Sequence, residues 1–196
     1  MVSSKLKKRF EEIITGGIKP LITLGVTPNL ATITGLAVSL LAAWFYSKGN
    51  EGLNLLFAGI LVLFSGFLDA IDGVIARVTG KVTVFGGFLD SVSDRYSDAM
   101  ILAGITMSGL CNIYAGVAAI IGSMMVSYTR AKSESSGVPM ASIGLAERAE
   151  RMILLAVFSF AAIYNVEILS YGIIFLGILT HFTVIQRVLY FKNKVA

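Results

Sequence analysis

Residues 69–94 read DAIDGVIARVTGKVTVFGGFLDSVSD, and the way these acids are reconciled with their surroundings decides the fold. All five aspartates of the chain fall here or one turn beyond: Asp69, Asp72, Asp90, Asp94 and Asp98. The flanking stretches, FSGFLDAIDGVIARVTG (64–80) and VFGGFLDSVSDRYSDAM (84–100), are apolar enough for a bilayer. A carboxylate at the centre of a membrane helix costs about 2.5–3.5 kcal/mol, so five cost on the order of 12–17 kcal/mol if nothing compensates. Bound divalent cations and a polar, water-accessible cavity are the expected compensation, which makes this cluster the candidate functional site.

The rest of the chain agrees with a bilayer. Of 196 residues 56% are hydrophobic and only 14% charged, against roughly 25% charged in soluble domains. The mean hydropathy is +0.81. One membrane domain over 1–196 uses the whole length and leaves no room for a soluble catalytic domain. The lone Cys111 excludes an internal disulfide and a thiolate cage and reads as a small packing residue. No cleavable signal peptide is evident. Residues 1–20 read instead as an amphipathic interfacial helix, with Leu6, Phe10, Ile13 and Ile14 near one face and Lys5, Lys7, Lys8 and Arg9 elsewhere.

The expected architecture is all-α and integral to the membrane, with six transmembrane helices over about 28–191. Hydrophobic stretches at 28–47, 52–77, 82–108, 112–133, 147–166 and 168–191 approach the roughly 20 residues that a crossing needs. Pro28 suits a helix start, with Thr27 as its cap. The N-terminal segment, the links after the second and fourth stretches, and the C-terminus hold nearly all Lys and Arg, and the opposite side holds only Lys48. The positive-inside rule therefore expects a multi-pass protein of the cell membrane, with both termini and the acidic site facing the cytoplasm. Trp44 and Tyr190 fit interfacial anchors, and His181 a bond between helices.

Asp69 and Asp72 are three apart, and Asp90, Asp94 and Asp98 four apart, so each set shares a helical face. An all-oxygen donor set without His or Cys favours Mg²⁺, Mn²⁺ or Ca²⁺ over zinc, and four carboxylates suffice to bridge two ions. Glycines accompany them. Gly73 and Gly86, at fixed offsets from aspartates, suit close approach of a ligand to the backbone. Gly66 and Gly87 read as helix-packing positions.

Residues 69–94 fit Asp-x2-Asp-Gly-x2-Ala-Arg-x8-Gly-x3-Asp-x3-Asp at all eight defined positions. This resembles the signature of the CDP-alcohol phosphotransferases, membrane enzymes of phospholipid synthesis, and the likeness extends to the six-helix layout. The resemblance implies metal binding by Asp69, Asp72, Asp90 and Asp94, with two Mg²⁺ or Mn²⁺ ions. It implies nucleotide binding by Asn29, Thr32, Asp69, Gly73, Ala76, Arg77 and Gly86, with Asn29 read equally as a helix cap. Asp94 would act as general base on an acceptor hydroxyl, and CMP would leave. Asp98 would support a neighbour such as Arg95 or share in function.

Residues 127–152, SYTRAKSESSGVPMASIGLAERAERM, resemble the phosphatidylinositol-phosphate synthase branch of that family, as does Gln186-Arg187. The resemblance implies that Arg130, Lys132, Arg148, Arg151 and Arg187 hold the phosphate of inositol 1-phosphate. The donor is a CDP-lipid, either CDP-diacylglycerol or CDP-archaeol. The expected partners are this donor, a small phosphorylated alcohol, membrane lipids and a second copy in a homodimer, with no nucleic acid. The same chemistry with glycerol 3-phosphate or serine stays open, and so does a cation or proton transporter, which would scatter its acids over more helices.

Overall fold

The computed structural model describes residues 20 and 22–195. The expected interfacial helix thus lies outside the described residues except for Pro20. Six long helices follow: α1 (Pro28–Ser47), α2 (Gly52–Val78), α3 (Val84–Met107), α4 (Ile113–Ser135), α5 (Arg148–Ala162) and α6 (Glu167–Val195). Their ends have local causes. Thr27 Oγ1 accepts from Leu30 N at 3.2 Å ahead of Pro28. Thr83 Oγ1 accepts from Gly86 N at 3.0 Å to start α3, and Asn112 Oδ1 accepts from Tyr114 N at 2.9 Å to start α4. Gly80, with φ +66°, turns the chain between the two acidic helices.

The helices close a ring. α1 packs on α2 and α3, α2 on α5, α5 on α6, α6 on α4, and α4 on α3. The two acidic helices therefore each lie along α1 rather than along one another. Small residues permit the crossings: a Cβ at Gly104 of α3 would sit 2.5 Å from Ala43 O of α1. Buried hydroxyls tie α1 to α3, to α2 and, across the ring, to α5. Ser39 Oγ donates to Ser97 Oγ at 2.8 Å, Ser65 Oγ donates to Gly35 O at 3.0 Å, and Tyr46 OH meets Ser159 Oγ at 2.5 Å.

The larger apolar core joins Tyr46, Leu55, Val62, Ile105, Leu155 and Ile173 at the end of the bundle away from the acids. The C-terminal half of α2 and the N-terminal half of α3 are thereby left for polar groups. Trp44, Phe57, Phe64, Phe67, Phe175 and Phe182 point outward, as a lipid-facing surface requires. Lys48 lies over the Trp44 ring and Lys194 over Tyr190.

The expectation of six crossings is met only in part. α1, α2 and α6 are long and apolar enough to span by length and composition. α5 has 15 residues, about 22 Å of helix against a hydrocarbon core of about 30 Å. α3 carries three aspartates and Arg95 along its length. Two smaller expectations are corrected. His181 Nδ1 meets Gly177 O of its own helix at 2.9 Å instead of bridging helices. Nothing described lies within 4 Å of a Cβ built at Gly87, so it is no packing glycine, whereas a Cβ at Gly66 would meet Met152 of α5. Cys111 is buried, and desolvation pushes its thiol pKa up, as suits a packing residue.

Candidate active site

α2 supplies Asp69 and Asp72 and α3 supplies Asp90, and one carboxylate oxygen of each lies within 4.8 Å of the others. Asp72 is buried, and Thr32 Oγ1 of α1 donates to its Oδ2 at 2.6 Å, which fixes the carboxylate. Asp90 Oδ1 is buried and accepts no hydrogen bond from the described residues. Three carboxylates this close repel one another unless a cation sits among them. Oxygen-only donors and an orphaned carboxylate oxygen fit a hard divalent cation, which Asp69, Asp72 and Asp90 would hold.

Asp94 stands one turn further along α3, and Arg148, the first residue of α5, bridges it to Asp69. Arg148 Nη1 lies 2.6 Å from Asp69 Oδ1 and 2.8 Å from Asp94 Oδ1, and Nε lies 3.5 Å from Asp98 Oδ1. Asp98 accepts from Arg151 Nη2 at 2.5 Å. Arg95 donates to Ser91 O at 2.5 Å and lies 3.9 Å from Asp94 Oδ2, so Asp98 is met by Arg151 and Arg148 and not by Arg95.

Beside the carboxylates opens a cavity of about 300 Å³. Asn29, Thr32, Gly73, Ala76, Arg77 and Gly86 all line it, together with Asp72 and Asp90. A Cβ at Gly73 would stand 3.3 Å from Arg77 Nη1, and one at Gly86 would stand 3.2 Å from Asn29 Oδ1, so these glycines hold the cavity open. Asn29 faces Gly86 across it and is not a cap, because Thr27 fills that role. Asp69 does not line this cavity. It lines, with Arg148, a groove of about 270 Å³ between α2 and α5 whose other walls include Leu63, Phe67, Met152 and Ile153. Lys81, Thr83 and Gly87 also line the nucleotide-sized cavity and were missed in the sequence. Their signal was their place inside the 26-residue motif, on either side of Gly86.

The five cations read as an acceptor pocket do not share one opening. Arg148 is among the carboxylates. Arg151 is buried, donating to Asp98 and to Ala146 O at 2.8 Å. Arg187 is buried under the loop before α5, donating from Nε to Ile143 O at 2.8 Å and from Nη1 to Val126 O, with Glu147 3.8 Å away. Lys132 lines a cavity of about 160 Å³ with Arg187, Tyr128 and Phe191. Arg130 is exposed and pairs with Glu134 at 2.9 Å.

A carboxylate cage opening on a glycine-lined cavity of nucleotide size, inside a bundle of apolar helices, defines a membrane-embedded transferase. The chain belongs to the CDP-alcohol phosphatidyltransferase family, which it matches over residues 25–185. It is 42% identical over 191 residues to an archaetidylinositol phosphate synthase of Pyrococcus horikoshii, with 97% of each chain covered. It is also similar to the crystal structure of the phosphatidylinositol phosphate synthase of Mycobacterium tuberculosis in complex with manganese and citrate. There the TM-score is 0.79 and the identity 27%, over 90% of this chain and 88% of that one. The same enzyme with CDP-DAG bound aligns with a TM-score of 0.76 at 27% identity, over 92% of each chain.

Proposed function

We propose that this protein transfers a lipid-phosphate group from a CDP-lipid to the hydroxyl of inositol 1-phosphate, releasing CMP. The observation that carries the reading is the meeting of the carboxylate cage with a cavity lined by Asn29, Thr32, Gly73, Ala76, Arg77 and Gly86. The relatives named as inositol-phosphate-lipid synthases support the acceptor, and the archaetidyl name of the Pyrococcus protein favours CDP-archaeol as donor.

In this reading the cytidine enters the 300 Å³ cavity, with Arg77 beside the diphosphate. The lipid tails leave along the groove between α2 and α5. Asp94 takes the proton of the acceptor hydroxyl. The oxygen attacks the phosphorus bearing the lipid, the diphosphate bond breaks, and its electron pair leaves with CMP. Two Mg²⁺ or Mn²⁺ ions held by Asp69, Asp72, Asp90 and Asp94 would supply neutralisation of the charge developing on the diphosphate. Arg130, Lys132, Arg148, Arg151 and Arg187 border the acceptor side, with Arg151 and Arg187 holding the loop and helix ends in place. The more polar helices α3, α4 and α5 cross the membrane within the ring, the site faces the cytoplasm, and the family resemblance supports a homodimer.

The test is CMP release by purified protein with Mn²⁺ and a CDP-lipid, supplying inositol 1-phosphate, inositol, glycerol 3-phosphate and serine separately. Release with inositol 1-phosphate alone is expected. Release with glycerol 3-phosphate alone overturns the acceptor but keeps the chemistry. Release with none, with either donor lipid, overturns the reading.

A further inference from the structure

Arg148 stands where two demands meet. It lies at the start of α5, in the cationic stretch expected to meet the acceptor's phosphate, yet its guanidinium bridges Asp69 and Asp94. Its contacts there are close: the single nitrogen Nη1 sits 2.6 Å from Asp69 Oδ1 and 2.8 Å from Asp94 Oδ1. Arg151, three residues on, contrasts with it, donating squarely to Asp98 and to Ala146 O. A guanidinium built permanently into a carboxylate pair uses its planar fork to form directed, often bidentate bonds. Arg148 instead spreads one nitrogen over two acids, Asp69 and Asp94. Asp69 is moreover shared between the Arg148 bridge and the carboxylate trio with Asp72 and Asp90.

We propose that Arg148 is an exchangeable counter-ion: it neutralises Asp69 and Asp94 when no divalent cation is bound, and a cation binding there releases it toward the acceptor's phosphate. Resting on the metal-binding reading above, this makes Arg148 a positioning residue that orders the two events. The guanidinium and a divalent cation compete for the same carboxylates, so each weakens the other. The freed guanidinium and a phosphate monoester attract, so the cation and the acceptor strengthen one another. Linkage makes that coupling reciprocal. Without Arg148 the metal-free site would hold four uncompensated carboxylates, and with Arg148 fixed in place the acceptor would lose a cation at the reacting end.

The experiment titrates full-length protein in detergent, stripped of metal, with Mn²⁺ alone, and reads free Mn²⁺ by electron paramagnetic resonance. Arg148→Gln is expected to bind Mn²⁺ on the order of tenfold more tightly than wild type, a typical coupling between linked sites. Asp90→Asn is expected to lose that binding. Inositol 1-phosphate should tighten Mn²⁺ binding in wild type, and the gain should shrink in Arg148→Gln. Should the variant not fold, wild type suffices: phenylglyoxal modification of Arg148, read by peptide mass, should rise when Mn²⁺ is added. Equal or weaker Mn²⁺ affinity in Arg148→Gln, or modification that does not rise, overturns the exchange while the metal reading stands. Absence of Mn²⁺ binding to wild type and variant alike overturns both.

Discussion

The Thr32 hydroxyl donates to Asp72 Oδ2 at 2.6 Å, across 40 residues of chain, and so links the first helix to the carboxylate cluster. The same hydroxyl lies 3.1 Å from Pro28 O of its own helix, but its one proton goes to the shorter contact with the carboxylate, which ties the Asp72 rotamer to α1. Thr32→Val keeps the shape and removes the donor. A hydrogen bond to a charged group is worth about 1.5–3 kcal/mol. We expect turnover to fall by on the order of tenfold, with a higher Mn²⁺ requirement and a thermal midpoint close to wild type. A Mn²⁺ titration of CMP release is the check, and an unchanged requirement would show that Asp72 is held by other means.

Asp94→Asn should leave CDP-lipid binding largely intact and reduce turnover by about 10²–10⁴-fold, the usual contribution of a general base. Equilibrium binding of the CDP-lipid beside single-turnover CMP release separates the two effects. Full turnover in this variant removes Asp94 from the role of base.

Arg151 and Asp98 form a buried ion pair at 2.5 Å, so Arg151→Ala leaves Asp98 with only the longer 3.5 Å contact to Arg148. Breaking such a pair costs about 3–5 kcal/mol, while replacing both members by apolar residues is often neutral. Arg151→Ala should therefore lower the thermal midpoint sharply, and Arg151→Met with Asp98→Leu should recover much of it. If Arg151→Ala melts like wild type and weakens only the acceptor, Arg151 contacts the phosphate directly.

Glycines around the site should separate by what surrounds them. A Cβ at Gly86 would meet Thr83 Oγ1 at 3.0 Å and Asn29 Oδ1 at 3.2 Å, both at the wall of the nucleotide-sized cavity. Gly86→Ala should raise the KM for the CDP-lipid several-fold with little change for the acceptor. Gly66→Ala meets only the flexible end of Met152 at 3.1 Å and should be nearly silent. Equal effects of the two on donor KM would disconnect the cavity from the nucleotide.

Much of the site was legible because helical spacing is a local property. Acids three and four apart share a helical face wherever the helix lies, so Asp69 with Asp72 and Asp90 with Asp94 followed from the chain alone. The six helices and most of their ends were equally readable from apolar runs, caps and glycines, and the bounds of α1 agree with the expected 28–47. Less readable was how many of these helices are long and apolar enough to cross unaided. The functional acids dilute the very hydropathy by which α3 would be recognised, and α5 starts at Arg148 and ends at Ala162, short of its expected 147–166.

The chain by itself pointed to an all-helical membrane protein with two sets of acids on shared helical faces and glycines beside them. It left open which cation answers which acid. Arg151 reaches Asp98 across 53 residues, and Arg187 reaches Val126 O across 61. Those pairings follow from how α5 docks on α2 and how the loop folds beneath α6. Basic residues at cytoplasmic helix ends are expected for topology and for phosphate binding alike, so composition gives both roles the same signal. Only the packing of distant helices brings one guanidinium to a carboxylate, buries another under a loop and leaves a third in water.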